Sequence, residues 1–142
     1  MIVGGGRIVR LRLFAIIAVT MLAGLTQRGA LSAHAKILRA EPAPGSSVNI
    51  APKAVRIWFT LDGNEEVDPE RSRISVLDST GRRVDDGKGG VELNDLDRRS
   101  MIVRLKPLKA GVYTVKWKAV SAPDFSVAQG AFQFRVVSGS RG

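Results

Sequence analysis

The chain contains one histidine, His34, and no cysteine, so few side chains are available for metal or nucleophilic chemistry. Without a thiol, neither zinc-finger ligation nor a cysteine nucleophile is possible. A Ser-His-Asp triad would have to use His34, and the chain has no nucleophile elbow. If proteolysis makes His34 the first residue, its α-amine and imidazole form a chelate of the nitrogen type that Cu(II) prefers. A carboxylate from a neighbouring loop would add a further ligand.

Neighbouring carboxylates are the other candidates for chemistry. Asp85 and Asp86 are adjacent in a segment of turn-forming composition, which predicts solvated turn residues rather than an acid–base couple. Asp95 and Asp97 are spaced like two calcium ligands, but a calcium loop requires more oxygen ligands in register. No carboxylate pair therefore predicts a catalytic centre.

The basic residues do not form a nucleic-acid motif. The formal net charge is +9, and four of the arginines lie within the first 28 residues. Further along, basic pairs such as Arg82-Arg83 and Arg98-Arg99 stand beside acidic residues. No aromatic side chains interleave with these pairs to stack on bases. We therefore expect a mixed, solvated surface and no nucleic-acid partner.

The amino-terminal segment has the composition of an export signal. Residues 1–12 carry three arginines and no acid, and residues 13–25 form an uncharged apolar run. That run is shorter than the roughly 20 residues needed to cross a bilayer. A basic start followed by a short apolar run is typical of a secretory signal peptide, predicted here over residues 1–33. The alternative is an uncleaved anchor, which would be the chain's only contact with a membrane.

The position of cleavage decides whether His34 is retained. Cleavage after Ala33 would leave His34 at the amino terminus, although Leu31 is large for the third position back. Cleavage after Ala35 fits the A-x-A pattern better and would remove the histidine. Both positions remain open at the level of sequence.

The elements that must position these groups are strands. Between Gly111 and Val136, apolar and polar residues alternate in two runs, with Tyr113 and Trp117 on one face of the first run. A period of two predicts half-buried antiparallel strands. The predicted loop between them, residues 121–129, carries Asp124. Leu108, Gly111 and Tyr113 also have the spacing of a tyrosine corner.

Similar short alternating runs, separated by turn residues, occupy the chain from Lys36 onwards. We count seven or eight predicted strands and no sustained helical period after the leader. This pattern predicts an all-β protein, either a β-sandwich or a Greek-key barrel. The predicted organisation is a leader over residues 1–33, one β domain over residues 34–137 and a frayed tail over residues 138–142.

Several short motifs along this domain form a recognisable set. They are His34-Ala35, Pro42-x-x-Gly45-Ser46, Ala51-Pro52, Val55-Arg56-Ile57-Trp58-Phe59, Leu108-x-x-Gly111-x-Tyr113-x-Val115-x-Trp117 and Gly130-x-Phe132-x-Phe134-x-Val136. Together they resemble the copper resistance protein CopC family of bacterial periplasmic copper-binding domains. The resemblance covers the whole predicted domain and implies a seven-stranded Greek-key β-barrel with an immunoglobulin-like arrangement.

The resemblance also implies a ligand set for Cu(II). In the family, copper is held by the amine and imidazole of an amino-terminal histidine and by an Asp-x-His in the loop before the last strand. His34 and Asp124 match two of these positions, while Ser126 stands at the position of the second histidine and Phe125 between them. A serine hydroxyl is a weaker copper ligand than imidazole. We therefore expect weakened Cu(II) binding, or none if cleavage follows Ala35.

Two functions are consistent with these residues. The first, implied by the resemblance, is a periplasmic copper-binding protein for copper resistance, homeostasis or delivery to a CopD-type inner-membrane transporter. The second is a metal-free β-sandwich that binds another envelope protein through strand edges or the face carrying Trp58. Neither is an enzyme. A third alternative, an oxidative copper enzyme with a histidine brace, would need a second histidine, which the chain lacks.

Overall fold

Alternating apolar residues form strands throughout residues 35–137, the part of the chain that this computed structural model describes. The nine strands are β1 (Lys36–Glu41), β2 (Ser47–Val48), β3 (Ala54–Thr60), β4 (Glu66–Val67), β5 (Arg73–Leu77), β6 (Gly90–Val91), β7 (Ser100–Arg104), β8 (Gly111–Ala122) and β9 (Val127–Val136). The predicted leader, His34 and the predicted tail lie outside the described residues.

The strands form two sheets that pack face to face. The first sheet has the order β1-β3-β7-β6, and the second has the order β2-β9-β8-β4, with β5 also paired to β8. All these pairs are antiparallel except β2 with β9, which is parallel. This architecture confirms the all-β prediction. Three strands of two residues each raise the strand number to nine, and strands so short leave no periodic pattern in a sequence.

The core lies between the inward faces of the two sheets. Its largest fully buried side chains include Phe134, Ile57, Ile74 and Met101. Along β3, residues alternate between buried and partly exposed, as the period of two predicts. Phe59 of the first sheet meets Trp117 of the second at 5.4 Å between ring centroids. These contacts fix the spacing of the sheets and therefore the shape of the end where the loops meet.

Strands β8 and β9 form the longest pairing in the molecule. They run antiparallel from Gly111 opposite Val136 to Val120 opposite Val127. The tyrosine corner is present, since the Tyr113 hydroxyl donates a hydrogen bond to the Lys109 carbonyl at 2.7 Å. The predicted antiparallel pair is confirmed, and Tyr113, Val115, Phe134 and Val136 of the pair belong to the core.

One acidic residue departs from the expectation of a solvated turn. Asp85 is 2% exposed, and its carboxylate accepts hydrogen bonds from the Val76 amide at 2.7 Å and the Gly87 amide at 2.8 Å. Arg83 Nε donates to the same carboxylate at 2.8 Å. The neighbouring Asp86 is exposed as predicted. The expectation was wrong for Asp85 because its backbone bridges to Leu105, which draws the side chain under the sheet edge.

Across residues 35–137 we find no helix, and hence none long and apolar enough to cross a bilayer.

Candidate metal centre

The loop that carries Asp124 is shorter than predicted. The β8–β9 ladder continues through Val120 and Val127, so the connection is reduced from the predicted residues 121–129 to residues 123–126. The Ser121 amide donates to the Ser126 carbonyl at 2.9 Å, which closes the base of the loop. The loop tip is therefore held by a continuous sheet, and its side chains have a defined position at the end of the sandwich.

Asp124 lies at the tip of this loop and is exposed. Its Oδ1 accepts a hydrogen bond from the Ser126 amide at 3.0 Å. This contact is a local cap of a tight turn, as Asp side chains often provide. An ionised carboxylate has two oxygens and about four acceptor positions, so it can take part in more than one interaction at a time. The carboxylate is thus oriented by the backbone and remains accessible from solvent.

Phe125 projects away from the loop base. Its φ of +58° is unusual for a residue with a side chain, and the residue is 52% exposed. The Arg71 guanidinium lies 4.4 Å from the centre of its ring, within the range of a cation–π contact. Phe125 therefore packs on the segment before β5.

Arg71 is itself held by Asp68, a residue that sequence reasoning did not single out. Asp68 Oδ2 accepts a hydrogen bond from Arg71 Nη1 at 2.9 Å, and Oδ1 accepts from the amides of Glu70 and Arg71. Burial raises the pKa of Asp68, but these hydrogen bonds and the Arg71 charge outweigh it and lower the pKa below its usual value. The Asp68-Pro69 sequence is a turn signal that would have revealed this cap.

Two serine hydroxyls, those of Ser121 and Ser126, lie at the base of the loop, and only Ser126 could be singled out from the sequence. Ser121 near the end of β8 and Ser126 just before β9 are joined by the 2.9 Å backbone hydrogen bond directly beyond the Val120–Val127 pair. The Oγ atoms of both are buried and have no hydrogen-bond partner among the described residues. Since buried hydroxyls are rarely left without partners, this pair marks a place suited to a water molecule or another polar group.

The described chain begins at the end of the sandwich that also carries the β8–β9 loop. Lys36 pairs with Thr60 at the end of β3, and Ala35 before it is 3% exposed. Val67 links the end of the sandwich that carries Thr60 to β8. Its amide donates a hydrogen bond to the Arg98 carbonyl at 2.8 Å, and the residue pairs with Ser121 of β8. His34 lies outside the described residues, so its side chain has no observed position.

The other acids do not assemble a ligand set. Within the described part of the chain, no group of three or more His, Cys, Asp or Glu side chains lies close enough to hold a metal ion. Asp95 bonds instead to the Ser100 hydroxyl at 2.7 Å and to the Arg99 amide at 3.0 Å. Met101, the only methionine after the predicted leader, is fully buried. Any site at the loop therefore needs a donor from outside these residues.

Comparison with known proteins identifies relatives of this domain. A family profile described as the CopC domain matches residues 37–137. The copper transport protein CutJ of Bacillus subtilis (strain 168) is 37% identical over 97 residues, an alignment that covers 68% of this chain and 17% of CutJ. The chain thus corresponds to a small part of that relative's length.

Two solved structures share the fold. The crystal structure of CopC from Methylosinus trichosporium OB3b matches with a TM-score of 0.64 and 28% identity, covering 77% of this chain and 99% of that chain. The methionine-rich copper resistance protein PcoC from Escherichia coli matches with a TM-score of 0.59 and 25% identity, covering 74% of this chain and 100% of that chain. Both relatives are nearly fully covered, so the likeness extends over a complete domain.

Proposed function

This chain belongs to the CopC domain family, and from that premise we propose that it is an exported periplasmic protein that binds Cu(II) as cargo. Its leader is removed after Ala33, and the freed amine and imidazole of His34 bind the ion together with Asp124. The bound copper serves resistance, homeostasis or delivery to an inner-membrane transporter of the CopD type. The protein acts as a carrier and not as an enzyme.

The position of the β8–β9 loop is the observation that carries this proposal. Asp124 lies at the tip of a loop whose base is closed by the Ser121–Ser126 hydrogen bond. β1 begins at the same end of the sandwich, one residue after the buried Ala35. His34 directly precedes Ala35 in the sequence, which supports a ligand pair formed with Asp124.

The nature of position 126 supports weakened affinity. An imidazole there would add a nitrogen donor, whereas Ser126 offers a neutral hydroxyl. The unpartnered hydroxyls of Ser121 and Ser126 suit a water molecule beside the loop. The ligand set is then one amine, one imidazole and one carboxylate, with solvent at the remaining positions of the copper plane.

Mass spectrometry of the exported protein, followed by Cu(II) titration, tests the proposal. We expect a chain that starts at His34 and an affinity that falls about tenfold or more in His34→Ala and in Asp124→Ala, since each change removes a direct ligand. Asp86→Ala is the matched control, because it also removes an exposed carboxylate. Asp86 lies away from the loop, since its amide donates a hydrogen bond to the carbonyl of Arg104, the last residue of β7. A chain that starts at Lys36, or a titration indifferent to both ligand changes, would contradict the proposal.

A gain-of-function variant tests the loop separately. Ser126→His restores a nitrogen donor at the position whose backbone carbonyl bonds to Ser121, and we expect it to tighten Cu(II) binding by at least tenfold. Gln129→His is the control, because it places a histidine on the exposed outer face of β9. Equal affinity of the Ser126→His variant and the unmodified protein would mean that the loop does not face the amino terminus.

A second candidate function is a metal-free module that binds another envelope protein. Trp58 favours it, because its ring lies on the outer face of the first sheet with the Arg39 guanidinium at 3.9 Å and that of Arg56 at 5.3 Å. Tryptophan and arginine are the residues most often found at energetic centres of protein interfaces. A mature chain without His34, together with loss of partner capture in Trp58→Ala, would favour this function over copper binding.

A further inference from the structure

The outer face of the second sheet is basic over strands β2, β5, β8 and β9; Glu66 of the short strand β4 is the carboxylate of this sheet, and it lies 3.7 Å from Arg98. The strands β2, β5, β8 and β9 include no Asp or Glu in their sequences. Their exposed side chains include two lysines of β8, Lys116 and Lys118, and the arginines Arg73 of β5 and Arg135 of β9. Lys116 and Lys118 are two residues apart on the same strand, so they project to the same side of the sheet.

The pairing register places Arg73 beside the two lysines of β8, and Arg135 lies further along the same face, opposite Val112. Arg73 lies directly opposite Lys118, and Ser75 lies opposite Lys116. On the other side of β8, Lys118 faces Gln129 and Lys116 faces Ala131. Like charges directly opposite one another in a sheet are unfavourable. The face therefore carries a concentrated positive charge that the fold leaves without neutralisation.

No carboxylate among the described residues forms an ion pair with any of these four side chains. The Arg73 guanidinium bonds to two main-chain carbonyls, those of Pro69 and Ser72. The outer face of the first sheet differs, because two of its arginines are paired with carboxylates: Arg39 with Glu41 at 3.6 Å and Arg56 with Glu92 at 2.7 Å. The two faces of one small domain are therefore electrostatically unlike.

We propose that this basic face, defined by Arg73, Lys116, Lys118 and Arg135, docks the domain on a bilayer surface of anionic phospholipids. The proposal rests on no part of the copper site. Lipid headgroups fit the chemistry, because the charges are spread over three strands with small polar residues between them, such as Thr114 and Gln133. Protein hot spots are typically built around aromatic anchors in pockets, and the outward positions of these strands carry no aromatic side chain.

The expected strength is modest and depends on salt. Each lysine or arginine near an anionic membrane strengthens binding about fivefold, and the effect is screened within about 10 Å at 0.1 M salt. Such binding would keep the domain near the membrane while allowing it to leave. A protein that exchanges cargo with a membrane transporter would benefit from this reversible contact.

Sedimentation with lipid vesicles tests the proposal. The exported protein, without added copper, is mixed with phosphatidylglycerol–phosphatidylcholine vesicles and with pure phosphatidylcholine vesicles. We expect binding only to the anionic vesicles, lost at 0.5 M salt, and weakened roughly 30-fold in the double variant Lys116→Gln, Lys118→Gln. The control is Lys53→Gln with Lys106→Gln, which removes the same charge from exposed lysines flanking β3 and β7 of the first sheet.

Three results would overturn the proposal. Vesicle binding that falls equally in both double variants would reflect net charge and not this face. Binding to anionic vesicles absent even at low salt would remove the membrane contact. Capture on immobilised poly-glutamate without vesicle binding would assign the face to an acidic protein. Circular dichroism of both double variants establishes that they remain folded, and Cu(II) titration of the same samples reports separately on the metal proposal.

Discussion

At the scale of single residues, Asp85 is the charged group most deeply integrated into the fold. Its carboxylate satisfies the amides of Val76 and Gly87 and pairs with Arg83, at distances of 2.7 to 2.8 Å. A buried carboxylate is tolerated only when such partners compensate for its lost hydration. Asp85 therefore ties β5 to the turn before β6.

We expect Asp85→Ala to lower the free energy of unfolding by about 3 kcal/mol, because it leaves the buried Val76 amide without an acceptor. Urea denaturation monitored by tryptophan fluorescence measures this change. Asp86→Ala is the neighbouring control and should change the free energy by no more than about 0.5 kcal/mol, since Asp86 is exposed. Equal effects of the two substitutions would contradict the structural role of Asp85.

Only some residues of the candidate site could be identified from the sequence. Asp124 and Ser126 were identified from their positions in a sequence motif, whereas Ser121 was passed over because nothing local distinguishes it. Its significance comes from the backbone hydrogen bond that joins it to Ser126, with both hydroxyls buried. Asp85 and Asp86 likewise have the same type and adjacent positions, and only the bridge to Leu105 separates their environments.

At the scale of elements, the tyrosine corner joins the turn before β8 to the sheet. The Tyr113 ring stacks on Phe134 at 5.5 Å between centroids, and its hydroxyl reaches the Lys109 carbonyl. The ring and the hydroxyl thus make separate contributions, one to the core and one to the crossover. Substitutions can distinguish them.

Tyr113→Phe removes the hydroxyl and keeps the ring, and we expect it to lower the free energy of unfolding by about 1 kcal/mol. Thr114→Val is the matched control, because it also removes a hydroxyl hydrogen bond, but one on an exposed face. Thermal unfolding of the two variants should therefore differ. A Tyr113→Phe variant as stable as the unmodified protein would show that the corner contributes nothing to stability.

At the scale of the whole molecule, several carboxylates are arranged so that the folded state favours their ionised form. The Thr80 hydroxyl bonded to Asp78 lowers the pKa of that carboxyl from 3.8 to about 2, with help from the amides of Thr80 and Arg82. Burial raises the pKa of Asp95, but the Ser100 hydroxyl and nearby amides bring it below its usual value. These carboxyl groups lie in different turns, so the pH dependence of stability that they produce is a property of the whole domain.

A carboxyl whose pKa is lower in the folded state contributes stability above its unfolded pKa and loses it as the pH falls through the folded pKa. We therefore expect the free energy of unfolding to decline between about pH 4 and pH 2. Urea denaturation at a series of pH values measures the decline. Asp78→Asn should make it shallower, and Asp86→Asn, at an exposed position in another turn, is the control. Identical slopes for Asp78→Asn and the unmodified protein would contradict the role of Asp78.

The distribution of charge is also a property of the whole molecule. Along the chain, basic and acidic residues alternate closely, and the sequence predicts a mixed surface. The fold instead collects Arg73, Lys116, Lys118 and Arg135 on one face, and on the other sheet it pairs Arg39 with Glu41 and Arg56 with Glu92. Mixing in sequence therefore does not imply mixing on the surface.

The sequence by itself determined the all-β class, the central β8–β9 pair and the tyrosine corner. Each depends on consecutive side chains or short spacings, because the pleat of a strand translates directly into a period of two. Tertiary structure alone decided which distant segments meet: Val67 with Ser121, and Asp85 with the interior. The physical reason is that sheet order and register set these contacts, and both depend on how the complete core packs.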